Sequence, residues 1–289
     1  TQSRSSAASD VYKRQVLEFD IRTLFFVGAI SAIVCATMLW LSRGLHEPSR
    51  PGLAWSSAAQ CAFGVAMLLI SLRGAIPDVL SWPVANAIGS SAAALMYEGV
   101  RRLSGARPMP WLAGGTVAAL CVLHAMLGSA PHWFELRLQL TSVVQGCFSA
   151  ASIPLLLARL RRDDEPRAPL RWAVGFLALL ATGHVARFIV VAASGAPISP
   201  NGIVQGPAQA LMPTVFSIAP MVYSLILIGL VNGRIANELW AIATVDTLTG
   251  VRTRRAFIDE ARRALVPGGT PVLMLSLIHI SEPTRQAEI

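Results

Sequence analysis

His184 and Arg187 stand three residues apart inside an apolar run, which puts them on one face of any helix the run forms. A charge at the centre of a bilayer costs at least about 2.5 kcal/mol on insertion scales, so an intramembrane arginine is read first as a functional residue. Arg187 is only about two turns from the end of its run, so snorkelling to the interface or a structural pairing is the competing reading. Glu98 lies beside Arg101 and Arg102 at the end of another run, where a rim ion pair is expected. Gln60, Asn86, His124 and Gln145 are uncharged polar residues inside apolar runs. They can join helices by hydrogen bonds or share a ligand pocket. Nothing resembles the acidic ladder of a proton-driven pump. Cys35, Cys61, Cys121 and Cys147 each lie within an apolar run with no CxxC spacing, so neither a disulfide nor a metal framework is implied.

Those residues are carried by a chain of 289 residues that is 54% hydrophobic and only 14% charged, with a mean hydropathy of +0.55. Average soluble domains are about 25% charged, so an ordinary soluble enzyme, a disordered chain and a collagen-like chain are all excluded. Seven apolar runs approach the length of about 20 residues that spans a hydrocarbon core as a helix. They are Thr23–Leu41, Leu53–Leu72, Val79–Tyr97, Trp111–Leu127, Leu138–Ala158, Trp172–Ala193 and Leu211–Val231. Pro213 and Pro220 interrupt the last and are read as a kink, because membrane helices tolerate proline.

The net charge is +8, and Lys13 is the only lysine. The arginines cluster between apolar runs, which points to loops facing an anionic inner leaflet rather than to nucleic acid. Loops after spans one, three and five hold Arg43, Arg50, Arg101, Arg102, Arg107, Arg159, Arg161, Arg162, Arg167 and Arg171. The opposite loops hold Arg22, Arg73 and Arg137. The positive-inside rule then places the N-terminus outside and the segment after Val231 in the cytosol. The external loops are short, the longest being about Ser194–Ala210, with no room for an external ligand-binding domain.

The two ends differ from the rest. Residues 1–15 and 276–289 resemble translated sequencing-adapter read-through and are set aside from fold reasoning. The division expected is a seven-helix sensor domain over 16–231, a linker helix over 232–245 and a further fragment over 246–275. In the linker, Ile235, Leu239 and Ile242 are spaced four and three apart, one heptad of a seam suited either to a second subunit or to the chain's own surface.

After the linker the chain reads Asp246-Thr247-Leu248-Thr249-Gly250-Val251-Arg252-Thr253-Arg254-Arg255-Ala256-Phe257. Gly250 permits a tight turn, Thr253 can cap the helix that follows, and Phe257, Ala261 and Leu265 form a narrow apolar stripe. Pro267-Gly268-Gly269 ends that helix, and Pro271–Leu275 reads as a short buried strand. The string resembles the entry signature of GGDEF domains, the diguanylate cyclases, whose pattern is Asp-x-Leu-Thr-Gly-x-x-Asn-Arg-Arg-x-Phe. Asp246, Leu248, Thr249, Gly250, Arg254, Arg255 and Phe257 match, and Thr253 replaces the usual Asn. The resemblance covers about residues 238–275. The apolar part is similar, without a sharp motif, to membrane sensors fused to such domains.

The fold expected is therefore mainly α: a polytopic membrane bundle of about seven helices followed by a truncated α/β GGDEF remnant. The resemblance implies a parent enzyme that joins two GTP into cyclic di-GMP on two Mg²⁺ ions, working as a homodimer through the linker helix and the catalytic domain. The family's metal carboxylates and its Gly-Gly-Asp/Glu-Glu-Phe string have no counterpart here, so no catalytic or metal-binding residue is assigned in this chain. It is expected to bind no Mg²⁺ and to lack cyclase activity, since metal activation and substrate orientation would both be missing. The alternative is a non-enzymatic seven-helix receptor whose degenerate cytosolic domain binds a nucleotide or partner. A small transporter fits the span count but not the Asp-x-Leu-Thr-Gly string.

Overall fold

In the first helix mostly small residues face inward and large apolar residues face outward, unlike a helix of a water-soluble core. The computed structural model describes residues 21–194, 207–246 and 249–264. In α1 (Ile21–Ser42) the buried face is Gly28, Ala29, Ala32, Cys35, Ala36 and Leu39. Phe26, Ile30, Val34, Trp40 and Leu41 of the same helix are exposed. So many exposed large side chains require an apolar surrounding, and helix contacts through small residues are the packing that lipid favours.

The remaining helices are α2 (Arg50–Ser71), α3 (Ala85–Leu103), α4 (Pro110–Leu127), α5 (Phe134–Leu160), α6 (Arg167–Ser194), α7 (Pro207–Thr244) and α8 (Arg254–Ala264). Each of the seven apolar runs read from the sequence lies within a helix, except that the second ends one residue past its helix, at Leu72, and the third begins with a π-turn. Among the described residues, six helices are long and apolar enough to cross a membrane: α1, α2, α4, α5, α6 and α7. The third run is not among them. Its first turn, Leu80–Val84, is a π-helix around Pro83, whose missing N–H cannot close a normal turn. The rest, α3, combines Asn86, Gly89, Ser90 and Ser91 with the charged Glu98, Arg101 and Arg102, so its hydropathy is low.

The polarity of α3 follows from its position, because it packs against α2, α4 and α5. Gly52 and Gly99 let α2 and α3 touch: a Cβ on Gly99 would lie 2.6 Å from Ser56 Oγ and 3.1 Å from the Gly52 carbonyl oxygen. Two apolar clusters flank this contact. Leu39, Leu53, Leu103, Tyr223, Leu227 and Val231 join α1, α2, α3 and α7. Val100, Leu156, Leu170, Ala173, Leu177 and Leu230 join α3, α5, α6 and α7. Ser57 donates to the Ala36 carbonyl and Ser217 to the Leu24 carbonyl, both at 2.7 Å, so hydroxyls also fasten α1 to its neighbours.

The chain divides into two units, residues 1–235 and 236–289. The helix α7 runs through the boundary and through Pro213, Pro220 and Gly233 without interruption. At 1.5 Å per residue its 38 residues extend about 57 Å, well beyond a hydrocarbon core of about 30 Å. Among the described residues there is no β-strand, only the isolated bridges Arg73–Ile76 and Val245–Arg252. The expected strand at Pro271–Leu275, both end segments and the loop at 195–206 lie outside the described residues.

Candidate functional site

A cavity of about 80 Å³, open on one side, lies among α2, α3, α5, α6 and α7. The sequence creates it by placing Gly89, Ala92 and Ala93 of α3 opposite larger side chains of four other helices. Aromatic rings supply much of the wall. Phe63 and Phe216 meet edge to face at 6.0 Å, and Phe176 stacks with Tyr223 at 6.4 Å between centroids. His184 stacks on Phe216 at 6.1 Å. Among the described residues, the lining contains no Asp, Glu, Lys or Arg.

The polar residues at the wall also hold the helices together. Gln60 Nε2 donates to the Pro220 carbonyl at 3.1 Å, joining α2 to α7. Gln145 Nε2 donates to the Gly89 carbonyl at 3.2 Å, joining α5 to α3. The Tyr223 and Ser56 hydroxyls are 3.1 Å apart. The two expectations for Gln60 and Gln145, helix joining and a shared pocket, therefore coincide in one place. Asn86 instead bonds the Trp82 carbonyl one turn back, and His124, fully buried on α4, has no partner for either ring nitrogen.

His184 and Arg187 are both buried but have different surroundings. His184 lines the cavity, whereas Arg187 does not. The Arg187 Nε donates to Ser142 Oγ at 2.8 Å, and its guanidinium lies 5.5 Å from the Phe216 ring centre. It thus points into the bundle and is held by α5 and α7, rather than extending outward along the helix. Among the described residues no carboxylate pairs with it.

At the bundle end that carries Arg73 and Arg137, both guanidiniums face the Trp82 ring, at 4.3 and 4.9 Å from its centre. Arg137 donates to the Gly128 and Ala130 carbonyls at 2.6 and 3.2 Å, and Arg73 to the Ser81 carbonyl at 2.9 Å. Burial first, and the neighbouring Arg137 second, lower the Arg73 pKa to about 10, which leaves it charged at neutral pH.

The opposite end carries a buried ionic cluster that sequence reasoning did not single out. Arg234 of α7 contacts both Glu165 oxygens at 3.0 Å, Ser49 Oγ at 3.0 Å and the Leu103 carbonyl at 2.9 Å. Glu165 also accepts Arg159 at 3.1 Å, and Ser49 is 2.7 Å from His46 Nδ1. One side chain thus ties α7 to the α5–α6 loop, the α1–α2 turn and the end of α3. Gly233 lets the helix approach: a Cβ there would lie 2.6 Å from Pro166 Cβ. Polar Asn232-Gly233-Arg234 directly after an apolar run was the available signal. Glu98 forms its expected ion pair, with Arg102 at 2.7 Å, but is buried rather than at an exposed rim because it also accepts the Met109 N–H at 3.2 and 3.1 Å.

Beyond the boundary, Leu239 and Ile242 are exposed. Ile235, the third residue of the seam, packs against the apolar cluster containing Val231. In the second unit, Asp246 Oδ1 accepts the Thr249 N–H at 2.9 Å and its hydroxyl at 3.0 Å. Gly250 has φ +69°, the left-handed conformation that a glycine adopts without strain. Thr253 Oγ1 accepts the Ala256 N–H at 3.4 Å, the capping contact read from the sequence. Arg254 and Arg255 open α8, and Phe257 follows, half exposed. Thr247, Leu248 and Leu265 lie outside the described residues. Cys35, Cys61, Cys121 and Cys147 are free thiols.

Comparison with protein-family models, curated proteins and solved structures returns no match to this chain.

Proposed function

We propose that this chain is the membrane-sensing part, and the beginning of the catalytic domain, of a diguanylate cyclase. The observation that carries the reading is the segment after α7: of the residues matching the GGDEF entry signature, Asp246, Thr249 and Gly250 form a turn, and Thr253 caps the helix that Arg254 and Arg255 open. In this reading α3 is the central crossing of a seven-helix bundle, its polar residues shielded by its neighbours. The arginine-rich loops face the cytosol of a bacterial inner membrane, and the N-terminus is outside.

The cavity receives a signal, α7 carries it, and the Arg234 cluster sets the position of α7 where it leaves the bilayer. Leu239 and Ile242, exposed on α7, supply a seam to a second copy, as a reaction between two GTP molecules on facing subunits needs. GTP and Mg²⁺ are then the substrate and metal of the parent enzyme. The metal would neutralise developing phosphate charge and activate the attacking hydroxyl.

The test joins the chain at Ala264, in register, to the remainder of an active diguanylate cyclase domain. The chimera is reconstituted in lipid with GTP and Mg²⁺, and cyclic di-GMP is measured. Product from the chimera and none from the chain alone is expected. A folded chimera without product would overturn the cyclase reading in favour of a non-enzymatic receptor.

A further inference from the structure

One end of the bundle gathers three of its connections. Arg234 meets Ser49 of the α1–α2 turn, the Leu103 carbonyl at the end of α3 and Glu165 of the α5–α6 loop. The end of α1 and the starts of α4 and α6 therefore lie at the same end. Each of those three helix ends carries an exposed tryptophan: Trp40, Trp111 and Trp172, at 50, 68 and 72% exposure. Tryptophan has an apolar body and one N–H donor, and collects at the headgroup level of a bilayer. An arginine accompanies each ring. Arg43 lies over Trp40 at 3.3 Å from the ring centre, Arg107 precedes Trp111 by four residues, and Arg171 adjoins Trp172.

These three arginines are the ones that the local carboxylates leave over. Among the described residues, each carboxylate of this end is paired with another arginine: Glu47 with Arg50, Glu98 with Arg102, Asp163 with Arg167, Asp164 with Arg162 and Glu165 with Arg234. None of these pairs includes Arg43, Arg107 or Arg171. Arg107 and Arg171 are exposed, and Arg43 gives one N–H to the Trp40 carbonyl at 3.2 Å. A guanidinium at headgroup level is matched by phosphate, whose oxygens its planar fork can take two at a time. A zwitterionic headgroup would bring a second cation to a place that is already positive, and a net-negative one would not. The other end of the bundle differs, because Arg73 and Arg137 are buried there and donate to backbone carbonyls.

We propose that Arg43, Arg107 and Arg171, each beside its exposed tryptophan, hold the headgroup phosphates of anionic phospholipids around this rim. The tryptophan sets the depth of the site and the arginine takes the phosphate. The inference rests on the membrane reading above for its bilayer, and needs no cyclase.

The full chain is reconstituted in nanodiscs of equal parts phosphatidylglycerol and phosphatidylcholine. Lipids that stay bound on release are counted by headgroup with native mass spectrometry. Phosphatidylglycerol is expected to be retained about fivefold over phosphatidylcholine, the ratio that one arginine beside an anionic surface implies. Arg43→Gln, Arg107→Gln and Arg171→Gln together should bring the two lipids within about twofold of each other. Arg50→Gln, Arg162→Gln and Arg167→Gln together remove the same charge from exposed arginines that already have carboxylate partners, and should leave the preference in place. No preference in the unmodified chain, or one that survives the first triple substitution, would overturn the proposal. Equal loss in both triple variants would overturn it too, since net charge and not these three sites would then set the preference. A chain that does not float with lipid on a density gradient would sink the membrane reading itself, whereas a chain in lipid without headgroup preference sinks this proposal alone.

Discussion

Arg234 and Glu165, 69 residues apart in sequence, form a two-pronged ion pair in which each contact measures 3.0 Å. Both side chains are almost fully buried, so neither charge is compensated by water. Removing one partner of such a pair typically costs about 3–5 kcal/mol, most of it the penalty of the charge left behind. Glu165→Gln and Arg234→Met are each expected to destabilise the bundle by about 3 kcal/mol, read by chemical unfolding in detergent. The double variant Glu165→Met, Arg234→Met should recover most of that loss, since Arg159 is partly exposed and can turn to water. Additive losses would show that the pair is not a unit.

Gly233 and Pro166 give a second, steric prediction at the same place. A Cβ at Gly233 would lie 2.6 Å from Pro166 Cβ, closer than side-chain carbons approach in folded proteins. Gly233→Ala is therefore expected to cost about 1–3 kcal/mol through overpacking, despite its better helix propensity. Pro166→Gly in the same chain should relieve the clash. A neutral or stabilising Gly233→Ala would mean that α7 stands further from the α5–α6 loop.

Ser142 tests what holds Arg187 inside the bundle. Ser142→Ala removes the 2.8 Å contact to Arg187 Nε and leaves a buried donor unpaired, at an expected cost of about 1–3 kcal/mol. Arg187→Met removes charge and donors together and should cost less than Ser142→Ala. The reverse order would mean that the Phe216 ring and the Leu138 carbonyl hold Arg187 more strongly than Ser142 does.

Topology is tested by labelling with a membrane-impermeant maleimide after Cys35, Cys61, Cys121 and Cys147 are replaced by alanine. An engineered cysteine at Ala75, exposed after α2, should react in intact cells. One at Asp164, exposed between α5 and α6, should react only after permeabilisation. The opposite pattern would reverse the orientation drawn from the arginine-rich loops.

The helices were legible because a span is a local property: about 20 apolar residues suffice, and no partner need be known. The capped turn at Asp246 and Thr253 was legible for the same reason, since donors and acceptors lie within a few residues. The cavity was not, because it depends on Gly89, Ala92 and Ala93 meeting rings from other helices. Arg234 and Glu165 likewise become a pair only through packing. Glu98 was read as a rim residue because the sequence shows its arginine neighbours, not the Met109 N–H that the chain folds back to present.

The weak hydropathy of α3 also bears on how the protein is made. A nascent segment with Asn86, Ser90, Ser91 and Glu98 partitions poorly from the translocon into lipid by itself. α2, synthesised just before it, already carries the Gly52 notch and Ser56 hydroxyl that α3 fits against. In the seven-span arrangement proposed above, the two would enter the bilayer together as a hairpin, with α2 rather than the apolarity of α3 carrying the insertion.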